Sequence, residues 1–332
     1  MKVLILYDRM AEEGANPDQI DVLVQAKAVD QALQDLGHES TRLGLSMDLK
    51  AFMGELKGLQ PDLVFNLVES VEGHGRLIHL VPTLLELLRI PYTGSPADAL
   101  YLTSNKLIAK KVLEEAGIRT PASFLPERSR HKDPPPKGAY IIKSTWEHAS
   151  IGIDEDSVLL VDGSQQLFLE MQRRKQRLGG ACFAERYIEG REFNLSLLAS
   201  HEGSEVLPPA EIRFHDYPDG KWRIVDYRAK WDQTTFEYAH TNPSFEFPES
   251  DRFLLFRLAT LAKECWELFN LRGYARVDFR VDKDNEAWVL EINANPCLSP
   301  DAGFVAAATQ RGLDFNQVVE RIIHDTGEMR YW

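Results

Sequence analysis

The sequence predicts an α/β fold that opens with a parallel sheet. Two short apolar runs rich in branched residues, at 3–6 and 62–67, have the pattern of strands that are buried on both faces. Between them, residues 21–36 carry apolar side chains at helical spacing, and Gly37 follows as a helix-ending residue. Strand, helix and strand in this order are typical of a parallel sheet covered by helices.

The next elements define where this first unit ends. Residues 77–88 form an apolar helical pattern, which the Pro- and Gly-containing run at 90–95 breaks. Residues 105–116 predict a second amphipathic helix, closed by Gly117. We therefore place an N-terminal α/β domain at residues 1–92.

The rest of the chain divides into a central and a C-terminal unit. Residues 128–138 contain three consecutive prolines among charges, which cannot continue a helix or a central strand, so we predict an exposed loop before a strand at 139–143. Later in the chain, short strands alternate with long loops, and residues 252–268 predict an amphipathic helix. The predicted units span residues 93–183 and 184–332.

The composition is that of a folded globular protein. The 332 residues are 44% hydrophobic and 27% charged, which are ordinary values. With 38 basic and 51 acidic residues the net charge is −13, the opposite sign from that of a general nucleic-acid or anionic-membrane binder. Three cysteines without metal-type spacing indicate neither a disulfide framework nor a zinc site. Since no signal peptide or membrane-length apolar run is visible, we expect a cytoplasmic location with neither nucleic-acid nor membrane partners.

Residues 276–293 carry the clearest chemical pattern. Two alternating runs joined by a polar turn predict a β-hairpin. Because side chains alternate between the faces of a strand, Asp278 on one strand can converge with Glu291 and Asn293 on the other. Two carboxylates and an amide oxygen suit a hard cation such as Mg²⁺ better than zinc, and a solvated hairpin with incidental charges is the alternative. The opposite face is predicted to pack on the core through Trp288, Leu290 and Ile292.

Cations and further acids stand at the edges of other predicted elements. Lys106, Lys143 and Lys230 lie in three separate segments, and Lys143 joins an apolar strand to a loop of small residues, a place that suits a phosphate. Glu185 and Glu192 lie seven residues apart around an apolar pair. Surface lysines, and a strand–turn–strand with exposed acids, are the alternative interpretations.

Taken in order, these segments resemble the ATP-grasp superfamily, and within it the D-alanine–D-alanine ligases. The resemblance covers nearly the whole chain. It implies an ATP-grasp fold preceded by a parallel-sheet (pre-ATP-grasp) domain on the substrate side, with ATP held between the central and C-terminal units. The motifs that carry the resemblance are residues 90–95, 105–106 with Lys110, 117–118 and 120–121, Lys143 with 150–152, and the runs 185–193, 227–231 and 276–296.

The resemblance implies how the nucleotide is bound. Lys106 and Lys143 would neutralise the phosphates of ATP. Glu185 would accept the adenine amino group, and Glu192 the ribose hydroxyls. The implied walls of the adenine pocket are Tyr187, Ile188 and Leu290.

For the chemical step the resemblance implies Arg276, Lys230 and Ser150 as catalytic residues. Lys230 would serve the transferred phosphate, Arg276 the acyl phosphate and tetrahedral intermediate, and Ser150 lies in the loop over the phosphates. A substrate carboxylate would attack the γ-phosphorus of ATP, and an amine would then displace phosphate, with catalysis mainly by positioning and electrostatics. The implied ligands for Mg²⁺, with Mn²⁺ as an alternative, are Asp278, Glu291 and Asn293.

The substrate side departs from the D-alanine ligase pattern. Asp18 and Asp21 are the candidates to replace the glutamate that holds the first D-alanine, and Glu69 stands near the place of a basic or neutral group. Ala302-Gly303 replaces the serine and leucine that clasp the second D-alanine carboxylate. Because Trp231 replaces a tyrosine whose hydroxyl links to the loop serine, we expect Ser150 to lack that partner.

The sequence therefore predicts an ATP- and Mg²⁺-dependent carboxylate–amine ligase that joins amino acids or small peptides. Its expected partners are small-molecule carboxylate and amine substrates. Dimerisation is common among the relatives, so a homodimer is compatible with the resemblance, although no interface is visible in the sequence. Two alternatives stay open: a true D-alanine–D-alanine ligase of cell-wall synthesis, and a catalytically silent ATP-binding regulatory protein.

Overall fold

The computed structural model describes residues 1–10, 16–125 and 137–326 of the protein. Its first sheet is parallel, as predicted, and comprises β1 (Lys2–Asp8), β2 (Glu39–Leu45) and β3 (Leu63–Asn66) in the order β2-β1-β3. The central strand β1 is buried along nearly its whole length because both of its neighbours and the helices on both faces cover it. The helices of this part are α1 (Pro17–Asp35), α2 (Leu49–Leu59) and α3 (Leu80–Leu88).

One strand of this first sheet and one helix that packs on it were not predicted. The edge strand β2 alternates exposed and half-buried residues over most of its length, so it lacks the apolar run that identified its neighbours. The helix α2 buries only Phe52 and Leu56, and a pattern of two core side chains is weak. Both elements are local in sequence but owe their conformation to pairing with β1 and packing beneath it.

The second sheet is antiparallel, with four strands in the order β4-β7-β5-β6. The predicted strand at 139–143 is confirmed within this sheet, whereas the predicted loop at 128–138 lies almost wholly outside the described residues. Two helices precede the sheet in the chain, and one covers it. These elements are α4 (Ala97–Ser104), α5 (Lys106–Glu115), β4 (Ser123–Phe124), β5 (Gly138–Ser144), β6 (Val158–Val161), α6 (Ser164–Arg174) and β7 (Cys182–Arg186).

The third sheet has six antiparallel strands, and it contains the predicted hairpin. Its strands are β8 (Arg191–Ser200), β9 (Gly203–Val206), β10 (Ala210–Phe214), β11 (Thr241–Ser244), β12 (Tyr274–Val281) and β13 (Ala287–Asn293). The strand order is β11-β10-β8-β12-β13, and β9 pairs with β8. The remaining helices are α7 (Tyr227–Trp231), α8 (Phe236–His240), α9 (Arg252–Leu268), α10 (Gly303–Gln310) and α11 (Phe315–His324).

The hydrophobic cores join these layers. Helices α4, α5 and α9 pack on one face of the six-stranded sheet. Helices α1, α10 and α11 share a second core with β1, β3 and the end of β8, so the last helices of the chain complete the first sheet. The division of the chain at residues 92 and 183 stays a prediction. Within the described residues, no helix has both the length and the apolar character needed to cross a membrane.

Candidate active site

One cavity of about 790 Å³ lies between the four-stranded and six-stranded sheets and reaches the start of α1. This volume is within the range of sites for small-molecule ligands, roughly 300–1,000 Å³. The structure brings every predicted site residue to its wall. These residues are Lys106, Lys143, Ser150, Glu185, Tyr187, Ile188, Glu192, Lys230, Arg276, Asp278, Leu290, Glu291 and Asn293.

The hairpin places its polar side chains opposite one another. Arg276 of β12 pairs with Asn293 of β13, and Asp278 pairs with Glu291. The Arg276 guanidinium donates to both carboxylate oxygens of Asp278, over 2.7 and 2.8 Å. Asn194 on the neighbouring strand β8 also donates to Asp278, over 2.8 Å. The two carboxylates and the amide predicted from the sequence therefore converge on one side of the sheet.

The predicted faces of the second hairpin strand need a correction. Strict alternation placed Leu290 on the core face, but the register shifts between Asp278 and Phe279, so that Phe279 pairs with Val289 and Leu290 is the extra residue of a β-bulge. As a result Val289 and Ile292 enter the core, while Leu290 joins Glu291 on the cavity wall. The bulge gives the cavity an apolar side chain directly beside an acidic one.

The oxygen donors fit a divalent cation. Asp278 keeps acceptor capacity on its Oδ2 atom, which receives one hydrogen bond, and carboxylate oxygens have two lone pairs each. Burial alone would raise the pKa of Glu291, but Lys106, whose ammonium lies 3.5 Å from the carboxylate, holds it well below its usual range. Glu291 is therefore ionised near neutral pH. The described residues contain no cluster of three or more His, Cys, Asp or Glu suited to a metal, so the donor set is two carboxylates and the Asn293 amide.

At the other end of the cavity, Glu185 lies between two lysines. Its carboxylate contacts the ammonium groups of Lys143 and of Lys110, the latter at 2.7 Å. Lys110 also donates to Thr120 and to the carbonyl of Pro121, over 2.8 and 2.7 Å, so its three donors are used. Burial opposes the charge of Glu185, but the two ammonium groups hold its pKa below the usual range. The carboxylate therefore stays charged inside the protein.

Glu192 is held by an arginine from the hairpin. Its carboxylate lies 2.7 Å from the guanidinium of Arg280, which also stacks over the ring of Tyr187, 5.4 Å from its centroid. The turn between β7 and β8 permits this approach because Gly190, at φ 148°, lies so close to Val281 that a Cβ would clash with its carbonyl oxygen. An acid, an aromatic face and an arginine are thereby fixed around one part of the cavity.

Lys230 is a cation without an anion. Its side chain makes no hydrogen bond or ion pair with any of the described residues, although it is half-buried in the cavity wall. Burial first, and then the nearby Arg276 guanidinium, lower the pKa of Lys230. Burial and a neighbouring cation both disfavour the positive charge of Lys230. An anionic ligand would therefore be stabilised at this place.

The loop after β5 closes one side of the cavity. Ala149 and Ser150 both have left-handed backbone conformations, with φ values of 56° and 60°. Ser150 has no hydrogen bond with residue 231, as expected, and its hydroxyl donates instead to the carbonyl of Val225 over 2.8 Å. Trp231 instead donates its indole N–H to the carbonyl of Ala149, over 3.2 Å. In the same loop, burial and the ammonium of Lys106 lower the pKa of His148 to about 3, so this imidazole is neutral.

The end of the cavity beside the start of α1, lined by Asp21, Glu69 and Cys297, is acidic, and we call it the substrate end because the resemblance predicts that it faces the substrates. Asp21 accepts hydrogen bonds from the hydroxyl of Ser299 and from the Cys297 thiol, the latter over 3.0 Å. Gln25 donates to Glu69 over 2.8 Å, and burial raises the pKa of Glu69 to about 7. Burial also raises the pKa of Cys297, so this residue is a thiol that donates to Asp21 and has no character of a nucleophile.

Three side chains that shape the site were not singled out as site residues: Lys110, Asn194 and Arg280. Lys110 had a usable signal, because Lys106 and Lys110 fall in helical register with the buried Ala109 and Leu113 of α5. Arg280 also had one, since it shares its strand face with Arg276 and Asp278 by alternation. Asn194 had none, because its role depends on the pairing of β8 with β12.

Comparison with known proteins supports one family. Residues 139–324, more than half of the chain, match the family model described as the D-ala D-ala ligase C-terminus. A D-alanine–D-alanine ligase of a Synechococcus species is 30% identical over 94% of this chain and 91% of its own length. An uncharacterised protein, y4sG, of Sinorhizobium fredii is also 30% identical, over 92% of this chain and 88% of its own length.

Solved structures agree on the fold. The D-alanine–D-alanine ligase of Bacillus anthracis complexed with ATP superposes with a TM-score of 0.71, at 19% identity over 98% of this chain and 97% of that one. The D-alanyl-alanine synthetase A of Vibrio cholerae gives the same TM-score at 17% identity, over 98% of both chains. The predicted ATP-grasp architecture, with its parallel sheet at the N-terminus, is confirmed.

Proposed function

The chain belongs to the D-alanine–D-alanine ligase family, and we propose that it joins a carboxylate to an amine through an acyl phosphate, with ATP as the phosphate donor. The observation that carries the proposal is the unpaired ammonium of Lys230 beside Arg276 in the shared cavity. Phosphoryl transfer develops negative charge on oxygens, and fixed cations in a partly desolvated site stabilise it. Glu291, Asp278 and Glu192 attract Lys230 electrostatically, but among the described residues none of them forms an ion pair with it, so its ammonium group is free to contact an anionic ligand.

The nucleotide would lie along the wall formed by β5, β7 and β8. Lys106 and Lys143 would face its phosphates, and the half-buried Tyr187, Ile188 and Leu290 its adenine. Glu185 is held charged by its lysines, and Glu192 is paired with Arg280, so both carboxylates can accept hydrogen bonds from the ligand without losing their protein partners. The resemblance implies their roles toward the adenine amino group and the ribose hydroxyls, and this arrangement is compatible with both roles.

Asp278, Glu291 and Asn293 would hold Mg²⁺, or Mn²⁺ as an alternative. When bound, such an ion supplies charge neutralisation for the phosphate oxygens and orients them. The protein also orients one of these ligands. Arg276 donates to both carboxylate oxygens of Asp278 and so fixes the carboxylate before any ligand binds. Asn194 does the same from the adjacent strand.

The proposed reaction has two steps. A carboxylate oxygen of the first substrate attacks the γ-phosphorus of ATP, the bond to the β-phosphate oxygen breaks, and ADP leaves. The second substrate reacts as the neutral amine, so its ammonium form first loses a proton to solvent. The amine nitrogen then attacks the acyl carbon, the carbon–oxygen bond to phosphate breaks, and phosphate carries away the proton that the amide nitrogen loses. Arg276 and Lys230 stabilise the charge in both steps, while Ser150, tethered to Val225, holds the loop over the phosphates.

We place the substrates among amino acids and small peptides. The acidic side chains at the substrate end, and Ala302-Gly303 at the place of the carboxylate clasp, favour an acceptor other than D-alanine. Ligation of two D-alanines is the second candidate, favoured by the name of the Synechococcus relative.

The test is ADP release with Mg²⁺ and ATP across pairs of D- and L-amino acids and small peptides, with products identified by mass spectrometry. We expect a peptide product that is not D-alanyl-D-alanine; that dipeptide would support the second candidate. Lys230→Met should abolish ADP release while nucleotide binding persists, and the exposed Lys263→Met is the matched control. Nucleotide binding without ADP release for every pair would contradict ligase activity.

A further inference from the structure

Apolar side chains from two helices line the substrate end of the cavity, and we call the part that they line the slot. Ile20 and Val24 lie one turn apart on α1 and line the cavity, with 48% and 44% of their surfaces exposed. Ala302 and Ala306, one turn apart at the start of α10, line the same end. Residues four apart share one face of a helix, so each helix contributes an apolar strip. The alanines leave open the space that larger side chains would fill.

The slot is built into the fold by polar contacts behind it. Asp21, between the two exposed residues of α1, accepts from the hydroxyl of Ser299 and the thiol of Cys297. Gln25 accepts from the backbone N–H of Leu298 over 2.9 Å. These contacts fix α1 to the segment that leads into α10.

The charges at this end select for a cation. Asp21 is committed to the 297–299 segment, and Asp18 accepts from the Tyr227 hydroxyl over 2.7 Å. Glu69 receives the Gln25 amide on Oε1, and among the described residues no partner contacts its Oε2 atom. The nearest guanidinium, that of Arg276, is paired with Asp278 through both of its carboxylate oxygens. An ammonium group is therefore favoured here and a free carboxylate is not.

We propose that this slot, formed by Ile20, Val24, Glu69, Ala302 and Ala306, receives the amine substrate, and that this substrate carries a branched apolar side chain and no carboxylate next to its amino group. The N-terminal residue of a peptide, or an amino-acid amide, has this chemistry. Glu69 meets the amino group, and the two apolar strips enclose the side chain. The proposal rests on the proposed ligase function and specifies its second substrate.

The test measures binding, so that it does not depend on turnover. Protein saturated with Mg²⁺ and a non-hydrolysable ATP analogue is titrated calorimetrically with both enantiomers of leucinamide, leucine, alaninamide and alanine. For one enantiomer, leucinamide should bind at least about tenfold more tightly than alaninamide, because the extra carbons fill the slot. It should also bind at least about tenfold more tightly than leucine, because the free carboxylate meets unpaired negative charge.

Two variants tie the preference to the slot. Ala306→Leu fills it and should weaken leucinamide binding about tenfold with little change for alaninamide, whereas Gln310→Leu, exposed on the same helix, should change neither. Glu69→Gln should remove the preference for leucinamide over leucine. Unchanged binding of the ATP analogue shows that each variant is folded.

The outcomes separate the two proposals. Equal or tighter binding of leucine or alanine, or no amine binding by the nucleotide-loaded protein, overturns the slot and leaves the ligase function standing. Failure to bind the ATP analogue at all overturns both.

Discussion

The two ends of the cavity differ in the partners of their acidic side chains. At the nucleotide end, each acid has its own cation: Glu185 lies between Lys110 and Lys143, and Glu192 pairs with Arg280. At the proposed substrate end, Glu69 accepts a hydrogen bond from an amide, and within the described residues it has no ion pair. At the first end, ion pairs fix the charged groups before the ligand binds. At the second end, the ligand would supply the positive charge that pairs with Glu69. The resemblance therefore assigns a role to each acid of the first end, whereas at the second end it provides only candidates, Asp18, Asp21 and Glu69.

The largest expected effect lies at the boundary between these ends, at Arg276. We expect Arg276→Ala to lower the rate of product formation by about 10²–10³, the cost of removing one charge-stabilising donor. Binding of ATP should change little, because the guanidinium contacts Asp278 and no residue of the adenine wall. Product formation and nucleotide binding are measured separately, by mass spectrometry and by calorimetry. Equal losses in both would remove Arg276 from the chemical step.

The next effect tests the paired charges of the nucleotide end. Lys110→Met should lower the free energy of unfolding by about 3 kcal/mol, because it leaves a buried carboxylate with half of its compensation. The neighbouring Lys111 is exposed, so Lys111→Met is a matched control with an expected change below about 0.5 kcal/mol. Urea unfolding of both variants makes the comparison. Equal stability of the two would mean that Glu185 does not need Lys110.

Lys110 also shows how much of the structure could be predicted from the sequence. Its helix was predicted with nearly correct ends, but its buried lysines were read only through family resemblance, although their spacing matches the apolar face. The edge strand β2 was missed because exposed side chains give no apolar run. The bulge at Leu290 could not be predicted, since one extra residue in a strand leaves composition and length unchanged while it reverses the following faces.

The site was more predictable than the connections that hold it. All of the predicted site residues line one cavity. They could be predicted because each of them lies in a short motif that is visible in the sequence. The contacts of Asn194, Gln25 and Trp231 join segments that are far apart in sequence. Such contacts depend on sheet pairing and helix packing, which local patterns do not encode.

A smaller effect is expected at Glu192. Glu192→Gln should weaken ATP binding about tenfold, in line with the loss of a charge-assisted hydrogen bond, and leave the rate at saturating ATP unchanged. Arg280 also loses its carboxylate partner, so a thermal unfolding measurement accompanies the kinetics. The control is the nearby, exposed Glu189→Gln. An unaltered affinity for ATP would exclude Glu192 from contact with the nucleotide.

The unpaired acid of the substrate end should give a pH dependence. Burial raises the pKa of Glu69 to about 7, against the opposing hydrogen bond from Gln25 and with Asp18, Asp21 and Arg276 facing it. Glu69 is therefore mostly neutral at pH 6 and mostly charged at pH 7.5, and only the charged form attracts an ammonium group. Affinity for leucinamide should rise roughly fivefold to tenfold over this interval. Calorimetry at the two pH values checks this, and Glu69→Gln should lose the dependence.

The smallest effect concerns the loop after β5, which closes one side of the cavity. Trp231→Phe removes the donor to the Ala149 carbonyl and should cost about 1 kcal/mol of loop closure, seen as an increase of about threefold in KM for ATP. Trp231→Tyr restores a hydroxyl donor on the same short helix, so it should recover part of the loss. Hydrogen exchange of residues 146–153 provides a readout of the loop itself. If exchange and KM are the same in Trp231→Phe as in the wild type, the tether acts only as packing, and the Ser150 contact with Val225 alone holds the loop.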